Sequence, residues 1–343
     1  MIARHGLAAL VVVLLTLAGV EATVRLFALA PPLQREHQEF VRGDRLPFLR
    51  KPWSHQTGRN ATGEFDFDYR HNSLGLRDRD HSARRPAGVF RIVGLGDSFT
   101  YGVGVPFAET YLSRLEGLLN SRPGAHPKVE VLNLAMPRYF PELERRMLEV
   151  VGLGFQPDLV LVGFVPNDIY DTLLGVDAVS VDRSGYLTTR EAALLGRWAI
   201  PLYLHCHSCR IVLAAYLSRK VEKSYPSSFE SFRDGGTYEP EWLKIEAEYN
   251  RMYRLADSIR ARLVLLHIPQ QGPWDERHAY PAVRLSRWAS SRPVGVLSVL
   301  SALRSAASPE LLYYPRDGHL TAADHGVIAK ELYQFLLAKR LMP

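Results

Sequence analysis

Hydrophobic positions along the chain gather into short unbroken runs rather than alternating with polar ones. Phe90-Arg91-Ile92-Val93-Gly94-Leu95, Val129-Glu130-Val131-Leu132-Asn133-Leu134, Asp158 to Val165 and Arg262 to Ile268 are each of strand length. Such runs predict strands covered on both faces. Leu311 to Tyr314 predicts a further, shorter strand. Between the runs lie stretches with helical spacing: Tyr111 to Leu119, Tyr139 to Gly154 with Leu143, Met147, Leu148 and Val151 on one side, and Ala322 to Leu337. Strands alternating with helices predict a mostly parallel sheet with helices on both faces, a flavodoxin-like three-layer α/β/α sandwich. The alternation stops between Asp168 and about Leu243. That predicts an insertion at about 169–243, partly helical over Trp198 to Leu217, placed where loops shape substrate sites.

Ahead of the sandwich the pattern changes. Residues 31–85 mix breakers such as Pro31-Pro32 with the alternating Glu64-Phe65-Asp66-Phe67-Asp68-Tyr69, which predicts a strand with one buried face. They read as a lead-in that packs on a domain spanning 86–343. Residues 1–30 are different again. Gly6 to Val20 carries no charge, and the apolar character runs on to Ala30, broken only by Glu21 and Arg25, which share a helix face. As a helix, Leu7 to Ala30 extends roughly 36 Å, enough for a hydrocarbon core of ~30 Å. Arg4 precedes the run, which predicts a start on the cytoplasmic side and an exported remainder. Ala28-Leu29-Ala30 has the small-x-small form of a signal-peptide cleavage site, followed by Pro31. Length favours an uncleaved anchor over that rival.

Composition adds bounds. The 343 residues are 47% hydrophobic and 23% charged, ordinary globular values. The formal charge of +6 is spread too thinly for a nucleic-acid groove, Arg84-Arg85 being only a pair. The two cysteines, Cys206 and Cys209, imply no disulfide scaffold. His205-Cys206-His207-Ser208-Cys209 lacks the second Cys/His cluster that would complete four zinc ligands, and a local disulfide is the alternative outside the cytoplasm. No metal and no cofactor is expected.

Candidate chemistry centres on Gly96-Asp97-Ser98-Phe99, at the end of the first strand of the sandwich, where open α/β sheets place their sites. Gly94-Leu95-Gly96 begins like a dinucleotide fingerprint, but Phe99 stands where the third glycine belongs. Thr100 likewise breaks the Gly-x-Ser-x-Gly nucleophile elbow. Serine and aspartate at such a junction also suit a plain helix cap. A nucleophilic serine needs a base and an oxyanion cradle. Asp317-Gly318-His319 near the far end offers an acid and a base, and Asn167 follows the third strand of the sandwich.

These residues together resemble the SGNH (GDSL) hydrolase superfamily. Gly96-Asp97-Ser98-Phe99 resembles its first block, and Asn133-Leu134-Ala135 lies where the family keeps its glycine block. Pro166-Asn167-Asp168 resembles the asparagine block, and Asp317-Gly318-His319 the last one. The anchor followed by Asn72-Ser73-Leu74-Gly75-Leu76-Arg77 resembles membrane-anchored bacterial members. Ala135 replaces a glycine, and Asp-x-His replaces the usual Asp-x-x-His. The resemblance implies Ser98 as nucleophile, His319 as base and Asp317 as its orienting acid. It also implies an oxyanion hole from the Ser98 and Ala135 N–H groups and the Asn167 side chain. The implied activity is that of a serine esterase or O-acyltransferase moving short acyl groups such as acetyl, by way of an acyl-Ser98 intermediate. Glycans outside the cytoplasm are the expected carriers, given the anchor. Two rivals stand beside it: the same fold as a non-catalytic glycan-binding or assembly component, and a flavodoxin-like nucleotide or flavin binder suggested by Gly94–Ser98.

Overall fold

The structure is a computed structural model, which describes the chain except residues 1, 34–36, 122–126, 189–194, 197, 225–228, 307, 309–310 and 343. Helix α1 spans Ile2–Leu26. Two small antiparallel pairs follow: β1 (Phe40–Val41) with β2 (Leu49–Arg50), and β3 (His55–Arg59) with β4 (Asp66–Arg70). Then comes the sheet: β5 (Val89–Leu95), β6 (Lys128–Asn133), β7 (Leu159–Phe164), β8 (Arg262–His267) and β9 (Val294–Ser298). The five strands lie in the order β6-β5-β7-β8-β9 and pair in parallel throughout. This is the flavodoxin-like 2-1-3-4-5 order, whose switch point falls at the carboxyl ends of β5 and β7.

Successive side chains of a strand point to opposite faces, and the two cores divide accordingly. Val93, Leu95, Val160, Val162, Leu263 and Leu265 face one helical layer, which includes Leu143, Met147, Trp242 and Tyr249. Ile92, Val131, Leu161, Val264 and Leu266 face the other, with Leu112, Leu115, Ile328 and Leu332. The second layer pairs α3 (Tyr111–Asn120) with the final helix, Ala322–Ala338. The first is built from α4 (Pro141–Val150) and the helices Glu239–Ser258 and Glu276–Ala289. The three-layer sandwich expected from the apolar runs is therefore present.

Two expectations are corrected. Leu311 to Tyr314 is not a strand of the sheet: only Tyr313 bridges, to Leu320, and the fifth strand is Val294–Ser298. The helix expected over 139–154 ends at Val150, and a 3-10 turn follows over Gly152–Phe155. The expected insertion at about 169–243 includes residues 189–194, 197 and 225–228, which lie outside those described. Its described part holds α5 (Asn167–Leu174) at its start, then the helices Ile200–His205 and His207–Ser224.

Helix α1 carries one segment, His5–Leu26, that is long and apolar enough to cross a membrane by length and composition. Near its end Glu21 accepts hydrogen bonds from the His207 and Ser208 N–H groups at 2.9 and 2.8 Å and from the Ser208 hydroxyl at 2.6 Å. It thereby satisfies amides at the start of helix His207–Ser224 that have no partner within the helix. Arg25 holds Glu21 at 2.7 Å and donates to the His205 carbonyl at 2.9 Å. Cys206 and Cys209, at the same junction, are joined in a disulfide.

Candidate active site

Ser98 opens α2, the four-residue helix Ser98–Tyr101 that follows β5. Its geometry is set by packing beneath it. Thr100 fills a hole lined by Gly96 and Gly163: a Cβ on either glycine would come within 2.2 or 2.3 Å of the Thr100 hydroxyl oxygen. Gly96 also holds a φ of +152°, where side chains are disfavoured. Tyr111 donates its hydroxyl to Thr100 at 2.9 Å. Asp97 caps the helix by accepting from the Phe99 N–H at 2.8 Å. The capping role that Asp97 and Ser98 could have shared thus falls to Asp97, which leaves the Ser98 hydroxyl for another partner.

That partner is His319. The Ser98 hydroxyl lies 2.8 Å from His319 Nε2, and His319 Nδ1 lies 2.5 Å from Asp317 Oδ1. With the carboxylate accepting from Nδ1–H, Nε2 is left as the acceptor for the serine proton, the arrangement of a Ser-His-Asp triad. The residues that the sequence spaces 221 positions apart meet at one cavity of about 460 Å³, within the range of small-molecule sites. Phe99 packs against the His319 ring, the centroids 5.1 Å apart.

The acid is held from an unexpected quarter. Asn60 and Glu64 sit in the turn between β3 and β4. Asn60 Nδ2 donates to Asp317 Oδ2 at 3.3 Å. Glu64 accepts from the Asp317 and Arg316 N–H groups at 2.7 and 2.9 Å, and from the Thr62 hydroxyl at 2.7 Å. Burial pushes the Asp317 carboxyl up, but the hydrogen bond from His319, and that from Asn60, outweigh it and hold the group below the ordinary aspartate value. It is therefore an anion at neutral pH and can stabilise an imidazolium on His319.

The oxyanion donors expected from the sequence are placed unequally. The Ser98 N–H, at the start of its helix, has no hydrogen-bond partner among the described residues. Asn167, the first residue of α5, lines the cavity beside Ser98. Its Nδ2 donates to Asp97 Oδ2 at 2.9 Å and reaches Asp171 Oδ2 at 3.4 Å. Ala135 is fully buried, and its N–H donates to Asn133 Oδ1 at 3.1 Å. Asp97 itself is buried; burial pushes its carboxyl up, against the hydrogen bond from Asn167.

Two further histidines and a tryptophan of the domain do not line the cavity. His267 is fully buried and meets the Ser298 hydroxyl at 2.8 Å. His325 is buried in the final helix, where its Nδ1 accepts from the Tyr111 N–H at 3.1 Å. Trp274 packs against Tyr313, their rings 6.1 Å apart. Missed at the sequence level were Asn60 and Glu64, and also Arg138, which lines the cavity. Nothing in Asn60-Ala61-Thr62-Gly63 points along the sequence to Asp317.

No protein-family model matches the chain, and no curated protein matches it. Among solved structures the chain is similar to TesA, at 12% identity and a TM-score of 0.44, over 74% of this chain and 99% of that one. It is similar to the psychrotrophic esterase EstA from Pseudoalteromonas, at 11% identity and a TM-score of 0.42, over 72% and 97%. A mutant of Axe2, an acetyl-xylooligosaccharide esterase from Geobacillus, is similar at 13% identity and a TM-score of 0.44, over 72% and 94%. At these values the likenesses carry no weight of their own, and the chemistry rests on the side chains of this chain.

Proposed function

We propose that this protein is a serine esterase or O-acyltransferase that works through an acyl-Ser98 intermediate. The single observation that carries the reading is the chain of contacts from the Ser98 hydroxyl through His319 to Asp317, at 2.8 and 2.5 Å. His319 takes the serine proton as Ser98 attacks the ester carbonyl, then returns it to the departing alkoxide. In the second half His319 deprotonates the acceptor: water gives hydrolysis, a sugar hydroxyl gives transfer. The Ser98 N–H and the Asn167 amide, both on the cavity lining, are the proposed donors for the oxyanion. The longer contact of Asn167, 3.4 Å to Asp171, marks the N–H that a substrate oxygen can redirect. The Ala135 N–H joins them only by exchanging its Asn133 partner. Each donor is worth about 2.7–4 kcal/mol in such sites.

Short acyl groups on glycans outside the cytoplasm are the proposed substrates, with α1 as an uncleaved anchor. The length and hydropathy of α1 support the anchor, and an anchored domain of this kind meets exported polymers. Hydrolysis of p-nitrophenyl acetate by the full chain, with covalent capture of Ser98 by a fluorophosphonate, tests the reading. Activity that persists undiminished in Ser98→Ala would sink it.

One observation favours a second reading, a non-catalytic glycan-binding component. Two of the three expected oxyanion donors are engaged by Asn133 and by Asp97. Its signature is polymer binding without any fluorophosphonate labelling.

A further inference from the structure

Arg138 lines the cavity that holds Ser98 and His319. Its backbone is costly: φ is +71°, in the left-handed region where glycine or asparagine is usual. The strain is imposed from both sides. Met136 donates its N–H to the Gly96 carbonyl at 3.1 Å, and the Tyr139 N–H closes back on the Met136 carbonyl at 3.0 Å. Pro137 and Arg138 are therefore the central pair of a tight turn, with proline at the position that suits it and positive φ at the next. Tyr139 is fully buried and donates its hydroxyl to the Phe48 carbonyl at 2.7 Å. A turn pinned this firmly presents its arginine to the cavity, and strain held by its surroundings is a mark of functional positions.

The guanidinium of Arg138 has no hydrogen bond or ion pair among the described residues. Arg50 lines the same cavity, its guanidinium lying 3.9 Å over the Phe40 ring. The carboxylate on the lining, Asp317, is turned to His319 and Asn60. His37, on the same wall, is held well below the ordinary histidine value by burial first and then by the charges of Arg138 and Arg50. The wall is thus cationic, and guanidinium groups match carboxylate and phosphate oxygens.

We propose that the site takes esters whose alcohol portion carries an anionic oxygen group, a sugar carboxylate or phosphate, and that Arg138 binds it. The inference rests on the esterase reading: with a short acyl group on Ser98, the alcohol side is the larger portion left to fill the cavity that Arg138 lines.

The test compares kcat/KM of the full chain on three methyl glucosides acetylated at one hydroxyl: neutral, with a carboxylate at C6, and with a phosphate at C6. An anionic ester is expected to lead the neutral one by about tenfold at low salt, the lead shrinking as salt screens it. Arg138→Gln is expected to bring the ratio to about one, and Arg138→Lys to restore part of it. Which anion leads separates carboxylate from phosphate. Protection of Ser98 from fluorophosphonate by methyl glucuronide, weaker in Arg138→Gly, gives a binding readout in a variant whose backbone suits the turn. Equal rates on charged and neutral esters, or a preference unchanged in Arg138→Gln, overturn the inference while leaving the esterase reading intact. No hydrolysis of any ester, p-nitrophenyl acetate included, overturns both.

Discussion

Asn60 Nδ2 donates to Asp317 Oδ2 at 3.3 Å across 257 positions of sequence, so the acid of the candidate triad is steadied by a hairpin that precedes the sheet. The other carboxylate oxygen meets His319. Removing the brace frees Asp317 to rotate away from the imidazole. Asn60→Ala is expected to lower kcat by roughly 10- to 100-fold, the scale of small misplacements, with KM changed little. Glu64→Gln is expected to act in the same direction, because the Arg316 and Asp317 amides lose a charged acceptor. Steady-state kinetics on p-nitrophenyl acetate, with the melting temperature measured alongside, separates misplacement from unfolding. An unchanged kcat in both variants contradicts the bracing role.

Asp317→Asn keeps the shape and removes the charge. The amide presents donors as well as an acceptor, and the imidazolium loses its counter-charge. A fall in kcat of about 10⁴-fold is the scale for such a change in a Ser-His-Asp triad. The rate of fluorophosphonate capture of Ser98 is expected to drop in step. Capture at the original rate in Asp317→Asn would mean that His319 is poised without its acid.

His325 gives a stability prediction with a definite sign. Burial pushes its value down to about 3, from 6.5, and its Nδ1 accepts the Tyr111 N–H. As pH falls below about 6.5 the unfolded chain takes a proton at this residue and the folded one does not. The contribution is therefore fully present above 6.5 and lost as pH falls toward 3, at up to ~1.4 kcal/mol per pH unit. Denaturant unfolding of His325→Gln at pH 7.5 and pH 5 is expected to show a shallower loss than the unaltered chain. Equal slopes would mean that the folded protein protonates His325 readily.

Glu144 runs the other way. It is fully buried, neither carboxyl oxygen has a hydrogen-bond partner among the described residues, and burial, then the charge of Asp97, pushes it well above 4.5. The folded state keeps this proton where the unfolded chain has released it. Stability from this residue is thus full below 4.5 and lost as pH rises through its folded value. Glu144→Gln carries no such penalty, so its stability relative to the unaltered chain is expected to improve between pH 5 and pH 9. A difference that stays flat across that range would show the residue to be ionised in the fold.

Much of the sandwich is legible in the apolar runs because a parallel strand covered on both faces has no polar side to show. Phe90–Leu95 and Leu159–Phe164 are of this kind. Val294–Ser298 is not: it is an edge strand of five residues, half-buried throughout, with Gly295 inside it. Leu311 to Tyr314 carries the apolar signature but pairs only through Tyr313. Within the candidate site, the order of Ser98, Asn167, Asp317 and His319 along the chain could be read because each lies beside a strand end or helix start. The bond from Ala135 to Asn133 was also local, an i to i+2 side-chain contact of the kind asparagine makes. The grip of Asn60 and Glu64 on the 316–317 loop was not, since nothing in residues 60–64 names a partner some 250 positions away.

Glu21 and Arg25 look in the sequence like a charged interruption of an apolar helix. Here they are its joint with the body, bonded to Ser208 and to the His205 carbonyl. A chain cut after Ala30 would leave the amides of His207 and Ser208 to solvent and so would not be the same molecule minus a leash. Where α1 sits in a bilayer, this rivet rather than a slack linker would set the tilt of the body above the lipid, and with it the height of the cavity beside Ser98 over the headgroups.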